Sequence, residues 1–178
     1  MGYITSSAVT IPSTGFDYFV FFLNDEYTDN LRRDFEENFW NLAKDVGKKT
    51  LVVNGFDRIQ FSEQVFEIYQ IKTRSVPAIL ITDTPPAIVE KFPLNKSNIK
   101  MVYIPLETIY KSQGSIVKVF KYIAESLRHS DAFELINSRN PVEIEKRWGW
   151  LRYFSIKPNI CGFGVDMNQF FEENLLKY

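Results

Sequence analysis

The chain opens on a weakly patterned stretch, "YITSSAVTI" at residues 3 to 11, that is β-prone and is closed by Pro12 and Gly15. It predicts an edge strand or an arm within residues 1–15. Residues 16 to 24, "FDYFVFFLN", are a continuous aromatic and β-branched run. An apolar run that short, with no polar alternation, predicts a central strand buried on both faces. The period then changes. In "TDNLRRDFEENFWNLAKDVG", Leu31, Phe35, Phe39, Leu42 and Val46 fall on one helical face. Thr28 or Asp29 is placed to cap this helix, and Gly47 to end it.

The alternation continues downstream. "TLVVNGFD" (50–57) predicts a second core strand, and "SEQVFEIYQI" (62–71) a short helix with Val65, Phe66 and Tyr69 inward. "VPAILIT" predicts a third strand directly after Val76-Pro77. Pro85-Pro86 and "LNKSN" mark an irregular crossover to a fourth strand, "IKMVYIPL" (99–106). "SIVKVFKYIAESLRHS" predicts a helix with Ile116, Val119, Phe120, Ile123 and Leu127 on one face, and "KSQGS" ahead of it reads as a cap. The order β-α-β-α-β-β-α makes the fold class α/β, a mixed sheet with helices on both faces.

One stretch is more specific. "VFEIYQIKTRSVPAILIT" runs from a short helix ending in an aromatic and an aliphatic residue, through a loop with basic residues, to an aliphatic residue, a proline and a strand. With the element order, it resembles the thioredoxin-like superfamily over residues 16–130, leaving 131–178 as a C-terminal α/β appendage. The resemblance implies that Pro77 occupies the cis-proline position. It also implies that a redox nucleophile would sit where the first core strand meets the first helix. Here that junction is "LNDEYTDN", whose hydroxyls are Tyr27 and Thr28, with no Cys or Ser. Asp25, Glu26 and Asp29 add negative charge that would oppose a thiolate. The expected protein is a member lacking the redox cysteine pair, with no thiol oxidoreductase activity.

Composition narrows the chemistry further. The single cysteine, Cys161, cannot form an internal disulfide, and with the single histidine, His129, it cannot make an ordinary zinc site. A reducing, cytoplasmic setting fits this usage. Cys161 is expected to be inert, and no cofactor or metal is expected. Net charge is −1, so a general nucleic-acid binder is not expected; Lys44, Lys48 and Lys49 read as a solvated helix end. No signal peptide or membrane span is evident in the pattern. "GFGVD" lacks the third glycine of a dinucleotide loop, and Asp166 reads as a helix cap.

Aromatic residues make up 16% of the chain, which is more than a core of this size requires. In the tail, "NPVEIEKRWGWLRYFSI" predicts a capped helix, "KPNICGFGVDMN" a turn and a short strand, and "DMNQFFEENLLKY" a final helix. Trp150 and Tyr153, flanked by Arg147 and Arg152, are candidate partner-binding residues, because Trp, Tyr and Arg dominate interface energetics. The other reading docks these aromatics onto the sheet domain. Tyr27 and Pro77 complete the candidate set. The expected function is that of a non-enzymatic interaction module with a protein partner: an adaptor or a subunit of a larger cytoplasmic assembly, in the manner of small bacterial signalling or antiviral defence proteins. The alternative is a small-ligand binder or enzyme with a non-thiol site joining the 25–29 junction to the Pro77 loop.

Overall fold

A computed structural model describes residues 1–25, 30–72, 74–91, 99–113 and 116–128, together with the pairs 155–156, 159–160 and 163–164. Its elements are β1 (Gly2–Thr5), a 3-10 turn (Ala8–Thr10), β2 (Tyr18–Leu23), α1 (Asn30–Asp45), β3 (Thr50–Gly55), α2 (Arg58–Tyr69), β4 (Ala78–Thr82), α3 (Pro86–Lys91), β5 (Met101–Pro105), α4 (Leu106–Gln113), α5 (Val117–Arg128), β6 (Ser155–Ile156), β7 (Asn159–Ile160) and β8 (Phe163–Gly164). The mixed sheet has the strand order β1-β3-β2-β4-β5-β6, and β7 pairs separately with β8. β1 and β2 lie parallel to β3 on its two sides, while β2–β4, β4–β5 and β5–β6 are antiparallel.

The apolar run of β2 explains the layering. Successive side chains in a strand alternate between faces, so a strand without polar positions must be covered twice. Val20 and Phe22 enter a core with Leu31, Phe35, Phe39 and Leu42 of α1 and Val119, Phe120, Ile123 and Leu127 of α5. Phe19, Phe21 and Leu23 enter a second core on the opposite face, with Phe61, Val65, Phe66 and Tyr69 of α2, Val89 of α3 and Ala8 of the 3-10 turn. Phe22 is stacked on Phe35 at 4.4 Å between ring centroids and on Phe120 at 5.7 Å, and meets Phe39 edge-on at 5.1 Å.

Of the two readings of the N-terminal stretch, edge strand or arm, the strand is the one seen. Gly2 pairs with Val52 and Thr5 with Gly55 in parallel register. The Val76–Pro77 bond is cis, the form implied for that proline by the resemblance.

Four expectations need correction. α2 starts a turn earlier than predicted: Asp57, read as the end of a strand, caps it by accepting from the Gln60 amide at 2.9 Å. The stretch after Pro85 is not simply irregular. Pro86 opens α3, because a proline in the first helical turn sacrifices no intrahelical hydrogen bond. A further helix, α4, follows β5 directly, its Glu107 and Lys111 paired four residues apart at 2.8 Å. Ser155 and Ile156, assigned to a tail helix, instead pair with Tyr103 and Val102 of β5, so these tail residues join the main sheet. The pair β7–β8 falls where a turn and short strand were expected. The rest of the tail, including the remainder of the first predicted tail helix and all of the second, lies outside the described residues.

Phe22→Ala removes a ring in contact with three others at the centre of one core. The expected loss is about 3–5 kcal/mol of unfolding free energy by chemical denaturation. A loss below about 1 kcal/mol would contradict this packing.

Candidate functional site

β2 and β3 are adjacent and parallel, yet the chain leaves their carboxyl ends in opposite directions. After β2 it enters α1 on one face of the sheet; after β3 it enters α2 on the other. Neighbouring strands whose connections diverge in this way leave a crevice at their carboxyl edge, the usual place for a ligand in an open α/β sheet. Close approach of strand and helix shapes it: a Cβ on Gly55 would lie 2.2 Å from Cβ of Phe61, so only glycine lets α2 begin directly beside the end of β3.

At this edge polar side chains interrupt an otherwise apolar run. Asn24 follows β2 and Asn54 lies near the end of β3, exposed by only 2% and 6%. Both turn their amide nitrogens to one carboxylate, that of Glu36 on α1: Asn24 Nδ2 donates to Oε1 at 2.9 Å and Asn54 Nδ2 to Oε2 at 3.1 Å. Arg58, in the first turn of α2, approaches the same carboxylate at 3.1 Å. Glu36 thus joins the helices of opposite faces across the strand ends. Ser62 of α2 secures the backbone of Asn24, accepting from its N–H and donating to its carbonyl, each at 2.9 Å.

This arrangement fixes the orientation of both amides. A carboxylate only accepts hydrogen bonds, so each Asn must present its nitrogen to Glu36 and turn its carbonyl oxygen elsewhere. Among the described residues neither Asn24 Oδ1 nor Asn54 Oδ1 finds a donor, although both atoms are buried. An unsatisfied buried acceptor costs about 1–3 kcal/mol.

Beside this floor, Asp25 and Arg32 form an ion pair that includes a 2.9 Å bond from Arg32 Nη2 to Asp25 Oδ2. The same Nη2 reaches the Val76 carbonyl at 3.4 Å. The start of the β2–α1 junction and the Pro77 loop are therefore brought together by an arginine that sequence reasoning did not single out. Pro77 itself is buried at the amino end of β4. The loop is held from behind by Tyr103, which donates to the Ser75 carbonyl, and by Arg74, which pairs with Glu63 and lies 5.8 Å from the Phe66 ring centroid. Tyr69 donates to the Thr84 carbonyl at 2.6 Å. Burial raises the Tyr69 phenol well above its usual range, and the nearby Asp83 carboxylate raises it further. Burial also pushes the Tyr103 phenol upward.

The remaining sequence-predicted site residues, Tyr27, Arg147, Trp150, Arg152 and Tyr153, lie outside the described residues, as do His129 and Cys161. Asn24, Asn54, Glu36, Arg58 and Ser62 were missed. Their signal was present: "FFLN" and "VVNG" each place an asparagine at the end of an apolar strand run.

Glu36→Ala strips the acceptor from two amides and from Arg58, and an expected loss of about 1–3 kcal/mol should appear in denaturant unfolding; an unchanged midpoint would contradict the network. A second expectation concerns alkaline pH. The folded-state phenol pKa values are raised, so the tyrosine contribution to stability is intact below the unfolded value of about 10 and is lost as pH rises toward the folded values. Tyr103→Phe should flatten that alkaline decline in a pH series of unfolding free energies, and an unaltered slope would count against it.

No family model, no curated protein and no solved structure matches the chain.

Proposed function

We propose that the chain is a non-enzymatic, thioredoxin-like interaction module, an adaptor or subunit of a larger cytoplasmic assembly, of the kind found in bacterial signalling or defence. The fold assignment is supported by the order β2-α1-β3-α2-β4-α3-β5-α4-α5, in which α3 and α4 are additions to the expected series, with β2 and β3 parallel and β4 and β5 antiparallel. At the place where that family carries its nucleophile, the described part of the junction holds Asn24 and Asp25, bound to Glu36 and Arg32. These are groups that hold structure or recognise a partner by hydrogen bonding.

The observation that carries the interaction reading is the exposed apolar group between β3 and α2. Phe56 is 84% exposed, and Ile59 is 44% exposed on the first turn of α2, with half-exposed Arg58 between them in sequence. A large aromatic held in water beside an arginine is the composition of an interface hot spot. A second exposed group lies nearby on the open-edge side: Ile4 of β1 and Trp40 of α1, whose ring packs against Gly2. A small-ligand site at the same carboxyl edge is the second reading, favoured by Arg32, which joins Asp25 of the junction to the Val76 carbonyl of the Pro77 loop.

Phe56→Ser should change stability by no more than about 0.5 kcal/mol, yet reduce recovery of a stoichiometric partner in a quantitative affinity pull-down from native lysate. Trp150→Ala tests the tail candidate in the same way. Undiminished capture by both variants would reject these partner residues. An insulin-reduction assay with dithiothreitol should show no acceleration by the protein; acceleration that disappears in Cys161→Ser would overturn the interaction reading.

A further inference from the structure

We propose that β1 is a dimerisation strand, whose open edge pairs antiparallel with the β1 edge of a second copy of this chain about a twofold axis at Tyr3. This goes beyond the interaction reading and does not depend on it.

The backbone sets the register. β1 closes one side of the sheet, and among the described residues no strand lies outside it. The Val52 N–H donates to the Met1 carbonyl and the Phe56 N–H to the Thr5 carbonyl, each at 2.8 Å, so the odd-numbered residues here turn their backbone groups inward to β3. The alternation of a strand then points the N–H and C=O of Gly2 and Ile4 outward. In an antiparallel ladder, two such residues placed opposite each other exchange both hydrogen bonds. Gly2 opposite Ile4 of the second copy, with the reciprocal pair, satisfies every outward group of these two residues on both chains.

The side chains fit the same register. Gly2 and Ile4 share the α1 face of the sheet, where the Trp40 ring covers Gly2 so closely that a Cβ there would lie 2.5 Å from it. Ile4 is 50% exposed and Trp40 52%. Antiparallel pairing sets Ile4 of each copy beside Gly2 of the other, where no side chain competes for space, and against the edge of that copy's Trp40 ring. On the opposite face, Tyr3 packs partly on the α2-side core. There Tyr3 meets Tyr3 of the second copy in a non-hydrogen-bonded pair, the arrangement in which cross-strand side chains approach most closely.

Charge points to a second copy as the occupant. No side chain among residues 1–16 is charged, so β1 lacks the lysine or other charge that commonly guards an open edge. The charges lie beside it on α1. Glu37, Trp40 and Lys44 follow the i, i+3, i+7 spacing of one helical face, and all three are exposed. α1 crosses back between the parallel strands β2 and β3, so it runs against β1, and the twofold sets it antiparallel to its copy. Glu37 of each copy is then brought to Lys44 of the other, on either side of the two Trp40 rings. The contact of Glu37 with Arg33 on its own helix, 4.0 Å between side chains 67% and 65% exposed, holds it only weakly. An isologous contact of this kind closes at two copies.

The test is sedimentation-velocity ultracentrifugation of the full chain over a concentration series. A short edge makes a small interface, so a monomer–dimer equilibrium with a dissociation constant on the order of 10 μM is expected. Ile4→Pro removes an outward N–H and no bond of the β1–β3 ladder; it should abolish the dimer and leave the far-UV circular dichroism unchanged. Glu37→Lys and Lys44→Glu, both at exposed helix positions, should each weaken the dimer several-fold. An equimolar mixture of these two variants should recover it, because every pair across the twofold is then of opposite sign. If Ile4→Pro fails to fold, the mixture decides. Wild-type protein that stays monomeric throughout the series overturns the proposal and leaves the interaction reading standing. A dimer that persists in folded Ile4→Pro, or a mixture that recovers nothing, also overturns it.

Discussion

β2 cannot be solvated on either face. Phe19, Phe21 and Leu23 point one way, Val20 and Phe22 the other, and all are fully buried. Each large apolar side chain so covered contributes about 1.5–3 kcal/mol, and the contributions can be realised only if helices lie on both sides. The need for two covers sends α1 to one face and α2 to the other, and the two connections diverge at the ends of β2 and β3. The candidate site is thus a consequence of how the central strand is buried.

That divergence brings a difficulty of its own. The strand ends there are buried, yet the chain must turn and the two layers must be held in register. Asn24 and Asn54 supply polar groups at those ends, and Glu36 ties both to α1 while Arg58 brings in α2. Such a network is strong when every member is satisfied and costly when one is not. Here the nitrogens are satisfied by an acceptor-only group, and the carbonyls are left without donors among the described residues.

Much of the fold was legible because its signals were local and periodic. The apolar run of β2, the inward stripe of α1 and the α5 face at Ile116, Val119, Phe120, Ile123 and Leu127 each stated their own structure. Short helices were harder to see. α3 begins at a proline that looked like a breaker, and α4 spans only eight residues with little apolar repetition. The site was less legible for a different reason. Asn24, Glu36, Asn54 and Arg58 lie in four separate segments, and nothing in a linear sequence states that two strand ends and two helices on opposite faces will share one carboxylate. The asparagines closing "FFLN" and "VVNG" showed where polarity enters the core, but their common partner emerges only from the topology. Attention to Tyr27, Pro77 and the tail aromatics followed the family resemblance and side-chain type, which rank residues without placing them.

One carboxylate, that of Glu36, couples the ends of β2 and β3. A double-mutant cycle on unfolding free energy, combining Glu36→Gln with Asn54→Ala, tests it directly. Groups sharing a buried hydrogen-bond network couple by about 0.5–3 kcal/mol, and a value in that range is predicted. Simple additivity, to within about 0.3 kcal/mol, would show that Glu36 and Asn54 act independently and would contradict the account.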